Sequence, residues 1–255
     1  MFVDTHCHIH EPYELPHDEV FSRAIENGIG QMICVGTSEI SSKEALIFAE
    51  RNNGIFASIG VHPHDTKDGY EAIGALADTA TDSQKLVAVG EIGLDYFYTH
   101  TSKEVQIEAL KAQIEIALKH NLPIIFHVRE AFDDFWPIFN SYEGIRGVLH
   151  SYTDSKENLE IALRNGLYIG VNGISTFTKD EAQKAMFDSI PLDRLVFETD
   201  APFLTPSPYR GKVNEPAYVR TIAEFHASRR GISVEEIAEH STRNARALFN
   251  LPVQS

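Results

Sequence analysis

The sequence is poor in cysteine and has no long apolar run. Only Cys7 and Cys34 are present among its 255 residues, too few for a disulfide scaffold or a spaced cysteine metal site. No stretch approaches the roughly 18 apolar residues that a membrane-spanning helix needs, and Asp4 and His6 interrupt the start where a signal peptide would be apolar. We therefore expect a cytoplasmic protein with free thiols and no membrane partner.

Basic residues are also scarce. The chain has 22 Lys and Arg against 37 Asp and Glu, a formal charge of −15. This charge argues against broad electrostatic adhesion to nucleic acid, because such binding depends on many Lys and Arg contacts to phosphate. A local cationic site stays possible, since bound metal ions can reverse the charge of an acidic cluster.

No low-complexity linker or shift in composition divides the chain, which predicts a single domain over residues 1–255. Short apolar runs recur and are separated by segments with helical periodicity. The eight predicted strands are 2–9, 31–36, 55–61, 86–91, 123–128, 147–151, 167–172 and 195–200. This alternation predicts a (β/α)8 TIM barrel. An open doubly wound sheet is the alternative.

Helix signals support this alternation. An apolar stripe predicts a helix over 102–120. Three capping boxes precede predicted helices, and Asn121 and Asn165-Gly166 are stop signals. The capping boxes are Thr101 with Glu104, Thr178 with Glu181, and Ser233 with Glu236.

The first strand carries histidine at every second position. In the stretch "VDTHCHIHEP", residues 3–12, strand geometry would aim His6, His8 and His10 to one side. Three imidazoles with one orientation are typical of metal ligands. The alternative is a solvated edge strand whose polar face uses histidine.

Further polar side chains end other predicted strands. They are Glu91, His127, His150 and Asp200. A single buried histidine is usually a hydrogen-bonded core residue, but several at the C-terminal ends of strands would converge in a closed barrel. Together with His6 and His8 they offer nitrogen and oxygen ligands for two divalent ions bridged by a carboxylate. Glu91, between Gly90 and Gly93, is the expected bridge.

Asp200 lies in the stretch "ETDAPFLTP". One carboxylate oxygen could bind a metal ion while the other accepts a proton from a nucleophilic water. Its neighbour Glu198 is on the same strand, where a structural ion pair deeper in the barrel is the simpler interpretation.

Several motifs in order resemble the TatD family of metal-dependent deoxyribonucleases, within the amidohydrolase superfamily. The resemblance runs from residue 2 to about residue 250. The motifs are "DTHCHI" at 4–9, "GVHPH" at 60–64, "GEIGLDY" at 90–96, "LPIIFHVREA" at 122–131, "VLHS" at 148–151, "ETDAPFLTP" at 198–206, "RGKVNEP" at 210–216 and "TRNARALF" at 242–249.

The resemblance implies an assignment of roles. His6, His8 and Asp200 would hold one metal ion, His127 and His150 the second, and Glu91 would bridge. His62 would act near the scissile phosphate, Arg129 and Arg210 would contact substrate, and Asp95 would support the ligands. His10 and His64 have no assured family role. The sequence departs from the pattern at "VLHSYTDS" and at Val213, where a basic residue is common.

These observations predict a hydrolase that cleaves phosphodiester bonds of DNA, as an exonuclease preferring single-stranded ends. Imidazole ligands favour zinc or manganese, whereas the resemblance implies magnesium, so all three metals are kept. No obligate protein partner is evident. Tyr96, Phe97, Tyr98, Phe203 and Tyr209 could stack bases. The alternatives are a small-molecule ester, lactone or phosphoester hydrolase, and a binding protein that has lost turnover.

Overall fold

The computed structural model describes residues 1–80 and 83–253 and has the (β/α)8 fold. Its strands form one eight-stranded sheet in the order in which they occur along the chain. That order has no switch point, so the doubly wound alternative is wrong. The strands are β1 (Phe2–Cys7), β2 (Ile29–Val35), β3 (Ile55–Ile59), β4 (Leu86–Asp95), β5 (Ile124–Arg129), β6 (Gly147–Leu149), β7 (Tyr168–Val171) and β8 (Leu195–Phe197).

Nine α-helices alternate with or follow these strands in the described part of the chain. None of the helices there is long and apolar enough to cross a membrane. The helices are α1 (His17–Glu26), α2 (Glu39–Arg51), α3 (Ala72–Ala80), α4 (Lys103–Lys119), α5 (Phe132–Phe139), α6 (Lys156–Arg164), α7 (Glu181–Ser189), α8 (Val219–Arg230) and α9 (Val234–Phe249).

The backbone falls into two compact units. Unit 1 consists of Met1–Ile33 and His150–Ser255, and unit 2 is Cys34–Leu149. The expectation of a single domain over 1–255 stays a prediction. Unit 1 contains the contact between the first and last strands, where Cys7 and Ala201 form a parallel bridge. Unit 2 contains β3 to β6, with parallel pairings from each strand to the next.

Several predicted boundaries are displaced in the structure. β1 ends at Cys7, so the strand alternation does not continue to His10, and β8 ends at Phe197, three residues before Asp200. β4 continues to Asp95. All three differences lie at the C-terminal ends of strands, where the polar residues of the predicted site occur.

The helix caps confirm one predicted N-cap residue and correct two. Ser233 accepts a hydrogen bond from the backbone N–H of Glu236, as expected. The N-cap of α4 is Ser102 rather than Thr101, and that of α7 is Asp180 rather than Thr178. In both helices the residue with the extended N-cap backbone lies one or two positions after the predicted one. Its side chain, Ser or Asp, is also a favourable N-cap.

Gly93 is required by a close approach of β4 to β5. A Cβ atom there would collide with the backbone carbonyl of His127, which pairs with Gly93 in the parallel ladder. Its φ of +155° also disfavours other residues. The glycine therefore lets the strand that carries Glu91 lie against the strand that carries His127.

Candidate metal centre

In unit 1, three of the predicted ligands form a compact group at the C-terminal end of β1 and in the segments that follow β1 and β8. Nε2 of His6 lies 3.1 Å from Nε2 of His8, and Oδ1 of Asp200 lies 3.6 Å and 3.3 Å from these two nitrogens. Ligands about 2.1 Å from a tetrahedral metal ion are about 3.4 Å apart. The donor atoms and their spacing therefore fit a divalent ion.

The backbone at Asp200 turns sharply to present its carboxylate. Its φ is +59°, in the left-handed region that most non-glycine residues avoid. The N–H of Asp200 donates to the carbonyl of His6 over 2.8 Å, and the N–H of His8 donates to the carbonyl of Ala201 over 2.7 Å. Two backbone hydrogen bonds thus hold the segments that carry the three ligands.

A buried carboxyl group lies beneath this cluster. Asp4 accepts hydrogen bonds from the hydroxyl of Thr199 at 2.6 Å and its N–H at 2.9 Å. Burial raises the pKa of Asp4 to about 8, although these hydrogen bonds act in the opposite direction. Asp4 was not predicted from the sequence as a site residue. An acidic residue directly after the buried apolar pair Phe2-Val3 was the available signal.

His150 also belongs to unit 1, where its ring stacks on that of His6 with centroids 3.9 Å apart. Nδ1 of His150 lies 3.4 Å from Oε1 of Glu198, which also accepts the N–H of Ser151 over 2.5 Å. Glu198 fits there because Gly170 has no Cβ, which would collide with its carboxylate. Glu198 therefore contacts both the ring of His150 and the backbone of Ser151, and its interpretation as part of a structural ion pair stays a prediction.

In unit 2, His127 lies between two carboxylates. Its Nδ1 is 2.8 Å from Oε1 of Glu91, and its Nε2 is 2.9 Å from Oδ2 of Asp95. Burial alone would raise the pKa of Asp95, but the hydrogen bond and charge of His127, with backbone donors, hold it well below its usual range. Asp95 is therefore an anion that can orient His127 as a ligand through Nδ1.

His62 lies beside the same pair, with Nε2 3.7 Å from Oε1 of Glu91. Its Nδ1 accepts the backbone N–H of His64 over 3.2 Å, which places the ring proton on Nε2. Burial, followed by the neighbouring His127, lowers the pKa of His62 well below 6.5. His62 is thus a neutral donor, which disfavours it as a metal ligand through Nε2 and suits it to contact an anion.

Two glutamines of α4 hold the backbone of this cluster, and the sequence analysis missed both. Gln106 accepts the N–H of Asp95 over 2.8 Å and donates to its carbonyl over 3.0 Å. Gln113 makes the same pair of contacts with Val61, next to His62, at 2.7 Å and 3.3 Å. Polar residues on the buried face of a predicted helix were the available signal.

The remaining histidines have different surroundings. Nε2 of His64 lies 3.1 Å from Oδ2 of Asp95. The ring of His10 is 6.3 Å from that of His8, and Nε2 of His10 lies 3.9 Å from Oε1 of Glu11. β1 ends before both His8 and His10. Of these two, His8 joins His6 and Asp200 in a group with metal-ligand spacing among the described residues, and His10 is not part of that group.

Both predicted substrate arginines stack on aromatic rings. The guanidinium carbon of Arg129 lies 3.8 Å from the ring centroid of Phe97, and that of Arg210 lies 4.0 Å from the ring of Phe177. Arg210 also donates to the carbonyl of Thr205 over 2.8 Å. Both residues are exposed, so their guanidinium groups remain accessible to an anion.

Known proteins resemble this chain over almost its whole length. The sequence pattern of the family described as TatD related DNase matches residues 3–250. An uncharacterized metal-dependent hydrolase of Bacillus subtilis, YabD, is 37% identical over 254 residues, with 98% of this chain and 100% of that protein covered. A 3'-5' ssDNA/RNA exonuclease TatD of Erwinia amylovora is 36% identical over 242 residues, covering 92% of this chain and 93% of the relative.

A solved structure agrees with these relatives. The TatD homologue YjjV of Escherichia coli superposes with a TM-score of 0.90 at 29% sequence identity, with 98% of each chain covered.

Proposed function

This chain is a metal-dependent hydrolase of the TatD related DNase family, and on that premise we propose that it cleaves phosphodiester bonds of DNA as an exonuclease that prefers single-stranded ends. The observation that carries the proposal is the spacing of His6, His8 and Asp200, whose donor atoms lie 3.1 to 3.6 Å apart. A relative named a 3'-5' ssDNA/RNA exonuclease supports the substrate class.

The proposed ligand set has two parts. His6, His8 and Asp200 would hold one divalent ion. His127 and His150 would hold the second, and Glu91 would be a ligand to both. Support comes from Asp95, which faces Nε2 of His127, and from Glu198, which faces Nδ1 of His150. A carboxylate in such a position fixes the tautomer of a ligating imidazole. We propose magnesium, manganese or zinc as the metal.

When bound, such ions supply an activated water and polarise a phosphoryl oxygen. Asp200 receives the proton of the attacking water at its carboxylate. The carboxylate is available because its pKa is lowered: burial would raise it, but the hydrogen bond with His8 and the charges of His6 and His150 lower it. Asp200 is thus an anion that can help to hold a cation and accept a proton.

His62 donates its Nε2–H to a phosphoryl oxygen. Its role follows from its tautomer, since the N–H of His64 occupies Nδ1. Arg129 and Arg210 contact flanking phosphates, because a guanidinium group binds such oxygens through paired donors. Two arginines are enough to bind an anionic substrate in this acidic chain, because the bound metal ions would supply most of the positive charge that attracts it.

The test is hydrolysis of end-labelled single-stranded DNA by metal-stripped protein refilled separately with magnesium, manganese or zinc. We expect a ladder of products with at least one metal, absent with Asp200→Asn, and the labelled end gives the direction. A duplex of the same sequence is the comparison for strand preference. Two ions bound per chain with no cleavage of DNA would refute the nuclease and favour the small-molecule hydrolase, which a panel of esters and lactones would then identify.

A further inference from the structure

Two adjacent aromatic rings are exposed in the loop after β4. Phe97 and Tyr98 are 47% and 44% exposed, and among the large hydrophobic side chains exposed in the described residues the only other aromatic is Phe203. All three follow the C-terminal end of a strand, β4 or β8. An aromatic ring left in water does not gain the stabilisation that burial would give it. Because these three exposed rings all lie in the loops that follow strands carrying or preceding proposed ligands, they indicate a contact surface there.

Arg129 completes this surface. Its guanidinium carbon lies 3.8 Å from the ring centroid of Phe97 and 5.2 Å from that of Tyr98. The two rings meet edge to face, with centroids 4.6 Å apart and planes at 87°. We name Phe97, Tyr98 and Arg129 the aromatic platform. It combines flat apolar faces with a cation in a chain of net charge −15.

Asp95 fixes the platform to the metal ligands of unit 2. Its Oδ1 accepts the backbone N–H groups of Phe97 and Tyr98 at 3.0 Å and 3.2 Å, and its Oδ2 faces His127. The rings of Tyr98 and His64 also meet in a T-shaped contact, with centroids 5.4 Å apart. The loop is therefore ordered before substrate arrives, which reduces the entropy lost on binding.

We propose that the aromatic platform binds the unpaired terminal nucleobase of the substrate strand. A nucleotide is the ligand whose chemistry it matches, because a base has a flat face for an aromatic ring and its phosphate has a negative charge for the guanidinium group. A base paired within a duplex cannot offer its face in this way, so the platform supplies the preference for single strands. The inference rests on the proposed nuclease function and adds the subsite for the base.

The test is the affinity of single-stranded oligonucleotides, measured by fluorescence anisotropy in calcium or another ion that does not support cleavage. Two sets are compared, one with a normal terminal nucleotide and one with an abasic terminal nucleotide, placed at the end from which the enzyme degrades. Phe97→Leu and Arg129→Gln are the variants. Tyr168→Leu is the matched control, because it also removes an aromatic ring that has an arginine beside it, Arg194 at 5.2 Å. Tyr168 is the first residue of β7, whereas the aromatic platform lies at and after the C-terminal ends of strands.

We expect Phe97→Leu and Arg129→Gln to weaken binding of the normal strand by about 5-fold to 150-fold, the range of base-stacking contributions. Phe97→Leu should leave the affinity for the abasic strand within about 2-fold of the wild-type protein, and Tyr168→Leu should bind both strands normally. Terminal 2-aminopurine fluorescence should be quenched by the wild-type protein and less by Phe97→Leu.

Other results would overturn the inference. Equal weakening of both strands by Phe97→Leu would show a contact to phosphate or a disturbed loop, and unchanged binding would show that the platform is not used. If the wild-type protein still cleaves single-stranded DNA in either case, only the platform is wrong. A wild-type protein that neither binds nor cleaves DNA would refute the proposed function and the platform together.

Discussion

Nε2 of His127 lies 2.9 Å from Oδ2 of Asp95. A comparable relationship occurs in unit 1, where Nδ1 of His150 lies 3.4 Å from Oε1 of Glu198. In each case a buried carboxylate faces one ring nitrogen, which leaves the other for a ligand role. Such partners raise the basicity of a ligating imidazole and fix its orientation, so we expect the two carboxylates to control metal affinity although neither is a proposed ligand.

Glu198→Gln should lower the affinity for divalent metal by about 10-fold to 100-fold, as other losses of a carboxylate behind a ligating histidine do. Gly170→Ala should give a similar loss, because the added Cβ collides with the Glu198 carboxylate. Metal affinity is measured by competition with a chelating indicator. Glu160→Gln, which alters an exposed carboxylate paired with Arg164, is the control. Affinity equal to that of the control variant would contradict the positioning role.

Asp200→Asn should reduce hydrolysis of single-stranded DNA by about 10²-fold to 10⁴-fold, the range attributed to a positioned acid or base. The amide keeps the size of the side chain but removes the anion that accepts the proton. The rate is measured at saturating metal, and circular dichroism checks the fold. Hydrolysis within about 3-fold of the wild-type rate would exclude Asp200 as the proton acceptor.

His62→Gln should retain part of the activity, whereas His62→Ala should lose about 10²-fold in kcat, because the glutamine amide can still donate a hydrogen bond. Since the pKa of His62 lies well below 6.5, the residue is neutral from pH 6 to 8, and its variants should lower the rate equally across that range. A rate limb between pH 6 and 8 that disappears in His62→Gln would show instead that His62 acts by gaining or losing a proton.

Acid should destabilise the protein through His226. This side chain is 1% exposed, its Nε2 lies 2.9 Å from Oγ of Ser175, and burial lowers its pKa from 6.5 to about 3. The folded state binds fewer protons than the unfolded state between these values, so the stabilising effect is complete above pH 6.5 and is lost as the pH falls toward 3. The contribution to the slope is at most about 1.4 kcal/mol per pH unit.

The measurement is the free energy of unfolding in urea at several pH values between 4 and 7, for the wild-type protein and His226→Gln. Other buried histidines affect both proteins alike, so the difference between the two curves isolates His226. We expect the variant to lose less stability on acidification. Parallel curves would show that His226 does not contribute to the acid sensitivity.

Phe203→Ala should weaken DNA binding more than it slows hydrolysis of a small phosphodiester, because the ring of Phe203 is 58% exposed and lies 6.4 Å from that of His8. Tyr209→Ala should have a smaller effect on binding, since Tyr209 already stacks on Tyr218 with centroids 4.5 Å apart. KM for single-stranded DNA and kcat/KM for bis(p-nitrophenyl) phosphate are the two measurements. Equal losses on both substrates would exclude stacking by Phe203.

The sequence by itself determined the fold class and the kinds of residue at the proposed site. Alternating apolar runs and helical periodicity are local properties, so the eight strands and the polar residues after them could be predicted within a few positions. The pairs that orient those residues could not. Asp4 with Thr199, Asp95 with His127 and the two glutamines of α4 join positions far apart along the chain, and no local pattern specifies such a contact.

The tertiary structure also decided where each regular pattern stops. Strand alternation predicted three equivalent histidines, but β1 ends at Cys7 and leaves His10 with different neighbours. Asp200 takes a positive φ that its residue type does not require and that hydrogen bonds to a distant strand maintain. Propensity therefore set the framework, while contacts made only in the folded chain set the direction, tautomer and charge of each side chain on which the proposed chemistry depends.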